Sequence, residues 1–109
     1  MMNTYLKFKE REETKGIRLH FVLADIPMKD YERIVMRKGW FSIGYNLVLH
    51  TDGTMEEGIP LEQCSDPFVE GWDDHICVLV MGQTQGKISQ EQAIALEALK
   101  EHLQLPIIY

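Results

Sequence analysis

Two short and almost uninterrupted apolar runs constrain the fold of this chain more than any other feature of its sequence. The runs cover residues 17–24 (IRLHFVLA) and residues 76–81 (ICVLVM), and each has the length of a β-strand. A strand with one face in water alternates polar and apolar residues, whereas a strand covered on both faces is apolar along most of its length. The runs therefore predict two buried strands, the first of them central, in an α/β fold.

Two segments have the pattern expected of helices that pack on this sheet. In residues 28–38, apolar side chains recur at helical spacing, with Pro27 at the start and Gly39 as a stop signal. The second helix begins at Ser89, which is predicted to form a capping box with Gln92, and extends to residue 103. The residues predicted to face the core are Met28, Tyr31, Ile34 and Val35 in the first helix and Ile94, Leu96, Ala98, Leu99 and Leu103 in the second.

The remaining segments complete one domain. The other predicted elements are strands at residues 43–49, 55–59 and 105–109 and a loop at residues 60–74. The turn signal TDGT at residues 51–54 joins the first two of these strands in a hairpin. This order predicts an α/β fold, with a mixed β-sheet flanked by helices, in a single domain over residues 1–109. Residues 1–16 are predicted to be a charged N-terminal segment that packs only in part.

The charge of the chain argues against one class of partner. The formal net charge is −6 and the pI is about 5.1. Proteins that bind nucleic acid through a basic patch neutralise phosphates with clustered lysine and arginine. The basic clusters at residues 7–11 and 33–38 have glutamates among or beside them. We therefore expect no direct binding of nucleic acid, whereas an acidic surface suits a basic protein partner.

No segment has the features of a membrane span or a secretion signal. No apolar run approaches the roughly 18–20 residues that cross a bilayer, and residues 1–11 are polar and lysine-bearing. Two cysteines are too few for a disulfide framework. We therefore expect a cytoplasmic protein without membrane contact, in which Cys77 is a buried strand thiol and Cys64 a loop thiol.

Several short motifs occur in a characteristic order along the chain. They are GW at residues 39–40, IGYN at 43–46, TDGT at 51–54, Glu56 and Gly58 just beyond, GWD at 71–73 and the apolar strand at 76–82. In this order they resemble the core of the N-acetylmuramoyl-L-alanine amidases, which peptidoglycan-recognition proteins share. Residues 8–12 (FKERE) and the strand through His20 look like the start of the lysozymes of T-seven-type phages, a branch of that family. The resemblance covers almost the whole chain and implies an amidase-type fold.

The enzymes that the chain resembles are zinc hydrolases. In the phage-lysozyme branch two histidines and a cysteine hold the ion, which activates a water and polarises the scissile amide. The resemblance matches His20 to the first ligand and Tyr45 to a tyrosine that assists catalysis, whereas Asn46 and Phe68 stand where histidines are usual. The other ligands and a late lysine lie beyond the position of Tyr109. We therefore expect His20 to be a lone vestigial ligand and Tyr45 a vestigial catalytic residue. We expect no cofactor, and zinc only if the chain is an active amidase.

No other residues form a recognisable replacement site. The candidates are His50, His75, His102, Cys64 and Cys77. They include neither a histidine pair at i and i+4 on a helix nor a Cys-x-x-Cys motif. We expect His50 and His102 to face solvent and His75 to be an ordinary loop residue. The sequence also lacks the Gly-x-Ser-x-Gly elbow of serine hydrolases.

Three functions remain open at this point, and we favour one that needs no chemistry. It is a catalytically inactive, phage-encoded amidase-like protein that binds and inhibits or regulates a protein target, such as a polymerase or a host defence enzyme. Function lies in sites rather than in folds, and the phage-lysozyme branch also binds the phage RNA polymerase through a surface that includes its N-terminal segment. The partner-binding residues that this resemblance implies are Phe8, Lys9, Arg11 and Glu12.

The two alternatives use the groove of the fold. A peptidoglycan-binding module would keep the groove without cleaving its ligand, and the predicted groove residues are Trp40, Asn46, Phe68 and Trp72. This hypothesis needs exposed tryptophans, whereas Trp40 and Trp72 are otherwise expected to be core or structural-loop aromatics. A zinc-dependent amidase would cleave the amide bond between muramic acid and L-alanine, either with substitute ligands or as part of a longer product.

Overall fold

The computed structural model describes residues 8–84 and 87–108, and its elements form one mixed sheet with two helices. The elements are β1 (Gly16–Val22), α1 (Met28–Arg37), β2 (Leu47–Leu49), β3 (Met55–Glu57), β4 (His75–Met81), α2 (Gln90–Leu103) and β5 (Ile107–Ile108). The sheet order is β3-β2-β4-β1-β5. Four strands are parallel, and β3 alone runs antiparallel to its neighbour β2. The predicted fold class is confirmed, whereas residues 1–7 of the N-terminal segment and Tyr109 of the last strand lie outside the described residues.

The centre of the sheet is β4, which pairs with β1 on one side and β2 on the other. All seven residues of β4 are buried, which confirms the prediction from its continuous apolar run. The other apolar run forms β1, which pairs with β4 from Gly16↔His75 to Val22↔Met81. This run was predicted to be fully covered, but His20 and Phe21 are only partly buried. The strand also ends at Val22, the last residue that pairs with β4, and Leu23 is exposed in the connection to α1.

The two faces of the sheet pack against different helices. Alternate residues of a strand point to opposite faces, so neighbouring residues of β4 belong to two separate cores. Val78 and Val80 face a core that contains Leu96 of α2. Leu79 and Met81 face a second core, which Met28 and Tyr31 of α1 cover. The groove residues described below lie on the α1 side of the sheet.

The capping box at the start of α2 is confirmed. The Ser89 hydroxyl accepts the Gln92 backbone N–H at 3.1 Å, and the Gln92 side chain accepts the Ser89 N–H at 2.9 Å. Ser89 Oγ also donates to the backbone oxygen of Thr51 at 2.7 Å. Gln92 is itself fully buried and donates to the carbonyl of Met81 at 2.9 Å. The cap therefore fixes the helix to the ends of β2 and β4 as well as satisfying its own backbone.

The core-facing stripe of α2 differs from the prediction at two positions. Leu96 is buried, and Leu99 and Leu103 pack on the same core. Ile94 and Ala98 were predicted to share this face, but Ile94 is 64% exposed and Ala98 is exposed as well. The reason is geometric, because a residue two positions away on an α-helix is rotated by about 200° and points to the opposite side.

The first helix and the hairpin are shorter or less regular than predicted. Val35 of α1 is buried, but Ile34, which was predicted to face the core, is exposed. Gly39 has φ of +104° and follows the end of α1 as expected of a helix stop. The predicted strand 43–49 is regular only in β2, because residues 43–46 form irregular backbone that turns at Gly44.

Both cysteines are free thiols, with Cys77 buried in β4 and Cys64 in a loop, as predicted. Cys64 is buried as well, and burial raises the pKa of both thiols. Across the described residues, no helix is both long enough and apolar enough to cross a membrane.

Candidate functional site

Four ring side chains from four separate segments make successive contacts on the α1 side of the sheet. They are His20 of β1, Tyr45 just before β2, Trp40 after α1, and Phe68 in the loop before β4. The ring centroids are 5.5 Å apart between His20 and Tyr45, 6.0 Å between Tyr45 and Trp40, and 5.7 Å between Trp40 and Phe68. We call these four residues the aromatic row. It brings together four of the predicted site residues.

The position of Trp40 depends on Gly44. Gly44 has φ of +91°, and a Cβ on this residue would lie 2.1 Å from Cζ3 of the Trp40 indole. Only glycine combines this backbone conformation with room for the ring. The Trp40 N–H also donates to the carbonyl of Val35 at 3.2 Å, which fixes the backbone at the end of α1. The GW and IGYN motifs are therefore joined by one packing contact, between Trp40 of the first and Gly44 of the second.

The outer end of the row is formed by a tight turn in the loop before β4. Asp66 is buried, and its Oδ1 accepts the backbone N–H of Phe68 at 2.9 Å. The Asp66 N–H donates to the carbonyl of Gly44 at 3.0 Å, so the loop is attached to the backbone beneath Trp40. Val69 then points inward and is buried, whereas Phe68 is 68% exposed. The turn thus presents one face of the Phe68 ring to solvent and stacks the ring on Trp40, with 26° between the two planes.

The inner end of the row is a neutral histidine. His20 Nε2 lies 3.0 Å from the carbonyl oxygen of Glu70, which only accepts hydrogen bonds, so Nε2 carries the hydrogen. Burial lowers the pKa of His20, and the nearby positive charge of Arg18 acts in the same direction. Arg18 itself forms an ion pair with Glu70, with Nη2 and Oε2 2.8 Å apart. His20 is therefore a neutral imidazole at pH 7, with Nε2 already engaged by the chain.

Tyr45 in the middle of the row keeps its proton. Burial, the largest influence, raises the pKa of its phenol well above the ordinary tyrosine value. A protonated phenol donates a hydrogen bond but supplies no negative charge. The row therefore offers aromatic faces, one phenol and one neutral imidazole, which is a set suited to stacking and hydrogen bonding.

Asn46 was predicted to line the groove, and the structure shows that this is wrong. Its side chain is fully buried. The two Nδ2 hydrogens are shared among three carbonyl groups at 3.1–3.2 Å, and the Oδ1 atom accepts from two donors; the partners are Ile59, Pro60, Gln63, Ser65 and Cys77. A carboxamide satisfies this mixture of donors and acceptors, because it both donates and accepts. Asn46 is therefore a structural residue that joins β4 to the loop after β3.

Trp72 is half buried and does not take part in the ring contacts that join the row among the described residues. Its backbone closes the loop instead, because its carbonyl accepts the Ser65 N–H at 3.0 Å and its N–H donates to Val69 at 3.1 Å. Phe21, on the face of β1 opposite His20, packs against the core under α2. Phe21 therefore lies on the other side of the sheet from the aromatic row.

The N-terminal residues predicted to bind a partner are partly engaged by the chain itself. Glu10 forms a β-bridge with Gln63, and the carbonyl of Lys9 accepts the Cys64 N–H at 2.6 Å. The guanidinium of Arg11 donates to the carbonyl groups of Gln63 and Leu61. Arg11 therefore fixes the segment in place and is not free for a partner.

The other three partner-binding candidates remain accessible to different degrees. The side chains of Lys9 and Glu12 are exposed, whereas Phe8 is half buried. Phe8 lines a small cavity of about 190 Å³ together with Met28, Ile43 and Pro60. Lys9 and Glu12 are thus the two members of this group that present charge outward.

The residues of the described chain do not fit the three-ligand zinc site of a hydrolase. Among residues 8–84 and 87–108, no three His, Cys, Asp or Glu side chains are grouped closely enough to hold a metal ion. His20 is joined in the row by a tyrosine, a tryptophan and a phenylalanine, none of which supplies a usual zinc ligand here. His102 is exposed on α2, as predicted.

Two other histidines are placed differently from the prediction. His50 was expected to face solvent, but it is largely buried between Asp25 and Glu56. His75 was expected to be a loop residue, but it is the buried first residue of β4, and its Nδ1 lies 2.6 Å from Oδ1 of Asp74. In each case a carboxylate compensates for the burial of the imidazole.

Sequence reasoning missed Arg18 and Glu70, which adjoin the row. Arg18 is two residues before His20 on β1 and therefore lies on the same face of the strand. The alternation of strand residues can be counted in the sequence, so the position of Arg18 beside His20 could have been predicted. That of Glu70 could not, because its contact with Arg18 joins positions 52 residues apart in the sequence.

The arrangement of strands and helices is the one found in N-acetylmuramoyl-L-alanine amidases and peptidoglycan recognition proteins. The amidase LysC from Clostridium intestinale URNW has a TM-score of 0.74 at 19% identity, over 87% of this chain and 70% of that one. PGRP-Hd from Alvinella pompejana has a TM-score of 0.72 at 21% identity, over 93% of this chain and 72% of that one. The ectodomain complex of PGRP-LCa and PGRP-LCx with bound tracheal cytotoxin gives 0.74 at 18% identity, over 89% and 66%.

No protein-family model matches the sequence, and no curated protein sequence matches it either. The structural likeness, at identities of 18–21% in these three cases, shows a shared fold. It confirms the amidase-type fold that the order of the motifs predicted, and it stops at the fold because a fold alone does not fix an activity.

Proposed function

We propose that this chain is a peptidoglycan-binding module that holds a glycan strand and its stem peptide along the aromatic row without cleaving them. The observation that carries the proposal is the Phe68 ring, which is 68% exposed and stacked on Trp40, the ring that in turn contacts Tyr45. The apolar faces of sugar rings pack on exposed aromatic rings, and a few polar groups then fix their orientation. Here Tyr45 and the free nitrogen of His20 would supply those polar groups.

The fold supports this ligand class. Proteins with the same architecture include an amidase named for N-acetylmuramoyl-L-alanine bonds and recognition proteins named for peptidoglycan. One of them was solved with tracheal cytotoxin bound. The likeness concerns architecture, so the ligand of this chain is inferred from the row itself together with that architecture.

The chemistry of the row favours binding over hydrolysis. Amide cleavage needs an activated water and a group that stabilises the developing oxyanion, which a catalytic metal supplies in zinc hydrolases. The described residues do not group three ligands for such an ion. A neutral His20 with Nε2 bound to Glu70, beside a phenol whose pKa is raised, leaves only weak general-base catalysis. We therefore propose that the module works without a cofactor.

The test is a calorimetric titration with a soluble disaccharide-tripeptide, comparing Phe68→Ala with Phe41→Ala. The two phenylalanines are matched in exposure, at 68% and 67%, but only Phe68 belongs to the row. We expect Phe68→Ala to weaken binding about tenfold, which corresponds to roughly 1.4 kcal/mol, and Phe41→Ala to leave it within about twofold. Equal losses in the two variants, or no binding by the wild-type protein, would contradict the proposal.

A second measurement separates binding from cleavage. The same disaccharide-tripeptide, a muropeptide, is incubated with the protein, with and without added Zn²⁺. The products are then separated by chromatography and identified by mass spectrometry. We expect the ligand to be recovered intact in both cases. Release of the free peptide would instead identify a zinc-dependent amidase and would overturn the non-catalytic part of the proposal.

A second candidate is the protein-binding role, in which a catalytically inactive, phage-encoded protein acts in the host cytoplasm on a polymerase or a host defence enzyme. The observation that favours it is the rigid presentation of Lys9 and Glu12. Their side chains are exposed, while the backbone on either side is fixed by hydrogen bonds from Cys64 to Lys9 and from Arg11 to Glu62. A preordered segment loses less entropy on binding a partner.

The charge-reversed double variant Lys9→Glu and Glu12→Lys tests this candidate without changing the net charge. Binding to purified phage and host RNA polymerases is measured by biolayer interferometry. We expect the double variant to bind at least tenfold more weakly if the segment is the contact surface. The matched control is Lys100→Glu with Glu101→Lys, at exposed positions on α2. An unchanged affinity in the first variant would rule the segment out.

A further inference from the structure

A largely buried histidine outside the aromatic row joins three elements of the fold. His50 directly follows β2, and its side chain is only 13% exposed. Its Nδ1 atom lies 2.8 Å from Oδ1 of Asp25, and its Nε2 atom lies 2.6 Å from Oε2 of Glu56. Both ring nitrogens are therefore within hydrogen-bonding distance of a carboxylate.

Only one protonation state satisfies both of these contacts. A neutral imidazole has one N–H and one lone pair, so it donates to one carboxylate and turns a lone pair toward the other. An imidazolium donates from both nitrogens, and each of the two hydrogen bonds is then charge-assisted. The geometry at His50 is thus that of a protonated histidine.

The two carboxylates that contact His50 also accept hydrogen bonds from backbone N–H groups, and these bonds connect segments that are far apart in the sequence. Asp25 belongs to the connection between β1 and α1, and its Oδ2 accepts the backbone N–H of Thr51 at 3.1 Å. Glu56 belongs to β3, and its Oε2 accepts the N–H of Met28, the first residue of α1, at 3.0 Å. The β2–β3 hairpin, the β1–α1 connection and the start of α1 are therefore fastened through one ring.

We propose that His50 is a pH-dependent latch, which fastens the β1–α1 connection and the start of α1 to the β2–β3 hairpin when it is protonated and releases one of the two sides when it loses its proton. The latch is independent of the proposed ligand, because none of its three side chains belongs to the aromatic row.

The charged groups that line the cavity with His50 are all acidic. Asp25 from the β1–α1 connection and Glu56 from β3 contact the ring, whereas Asp52 from the hairpin turn and Glu91 from the first turn of α2 line the same open cavity of about 700 Å³. Burial by itself would lower the pKa of His50, but the hydrogen bonds to Asp25 and Glu56 outweigh it and raise the pKa. Loss of the proton leaves a neutral ring between the carboxylates of Asp25 and Glu56, so the repulsion between them adds to the loss of one hydrogen bond.

Two backbone amides report directly on the latch. The N–H groups of Met28 and Thr51 are bound to the same two carboxylates that His50 holds. Their hydrogen-exchange protection factors, corrected for the intrinsic effect of pH, are measured by NMR between pH 5.5 and 8.5. We expect the protection of at least one of the two to fall tenfold or more as the pH rises above the ordinary histidine value of about 6.5. The ring ¹⁵N shifts, recorded in parallel, should show His50 as an imidazolium at pH 6.

The variant His50→Gln removes the titrating group and keeps a side chain that donates to only one carboxylate. We expect its Met28 and Thr51 protection factors to be low and independent of pH. The control His102→Gln, at an exposed position of α2, should behave as the wild type. If His50→Gln does not fold, Asp25→Asn replaces it and should lower the pH at which the His50 ring titrates. A neutral His50 ring at pH 6, or a pH dependence that is the same in wild type and variant, would overturn the latch.

Discussion

The indole of Trp40 lies against the backbone of Gly44 so closely that no side chain fits between them. A Cβ at position 44 would come within 2.1 Å of Cζ3 and 2.6 Å of Cε3 of the indole. Non-bonded carbon atoms do not approach so closely, so any residue with a Cβ at this position displaces the indole ring. The contact links the end of α1 to the irregular segment before β2, and it sets the middle of the aromatic row.

The substitution Gly44→Ala is therefore expected to be strongly destabilising. It combines the cost of a positive φ for a residue with a Cβ, about 1 kcal/mol, with the displacement of the ring. We expect a total loss of roughly 2–4 kcal/mol in the free energy of unfolding, measured by urea denaturation, together with a loss of muropeptide binding. The matched control is Gly39→Ala, because Gly39 has φ of +104° and no atom lies within 4 Å of the position that its Cβ would take. Equal losses in the two variants would show that the ring contact contributes nothing.

Asn46 gives a second prediction, in which the number of hydrogen bonds decides the outcome. Its carboxamide makes five hydrogen bonds in a fully buried position. Asn46→Ala leaves these partners without the side chain, and we expect a loss of about 3–5 kcal/mol in urea denaturation. Ser65→Ala removes the 2.7 Å bond to Oδ1, one of these five contacts, and should cost about 1–2 kcal/mol. A loss at Asn46 no larger than that at Ser65 would contradict the role given to the network.

The two faces of α2 are expected to respond differently to truncation. Leu96 is buried in the core, whereas Ile94 is exposed on the opposite side. Leu96→Ala should lower the free energy of unfolding by about 2–5 kcal/mol, and Ile94→Ala should change it by no more than about 0.5 kcal/mol. The comparison uses the same assay and two aliphatic residues of equal size. A large loss at Ile94 would show that the helix packs with another face.

Glu56 is expected to make the protein sensitive to acid. The hydrogen bond with His50, and after it the bond from the Met28 N–H, hold the pKa of this carboxyl below its usual range. A depressed folded-state pKa adds stability above the unfolded value of about 4.3, and this stability is lost as the pH falls through the folded value. The free energy of unfolding should therefore decrease below about pH 4.5, and less steeply in Glu56→Gln. Parallel curves for the two proteins, from urea titrations between about pH 3 and 6, would exclude this contribution.

The parts of the fold that were predictable depend on neighbours in sequence. The run at residues 76–81 is apolar throughout, and no position in it suits water, so it forms the fully buried β4. The capping box is equally local, because Ser89 and Gln92 are three residues apart. Ile94 was wrongly predicted to face the core, because hydrophobicity alone does not tell which of two helix faces is buried. The buried face is the one that contains Leu96.

The parts of the site that were not predictable depend on distant partners. The order of motifs identified His20, Tyr45, Trp40 and Phe68 one by one, and the structure places them in one row. Asn46 is instead satisfied by groups 13–31 residues away, and nothing in the sequence shows that those groups surround it. Polar groups in the core are specified by the full set of their partners, which only the folded chain assembles.

The aromatic row combines a fixed end with an adjustable one. His20 and Tyr45 lie on or beside the sheet, where replacement disturbs buried neighbours, whereas Phe68 projects from a turn whose shape depends on Asp66 and not on the ring. Changes at position 68 therefore cost the fold little while altering the width and polarity of the entrance. Under the proposed function, substitutions at residue 68 are therefore expected to change which ligand binds without a compensating change in the core.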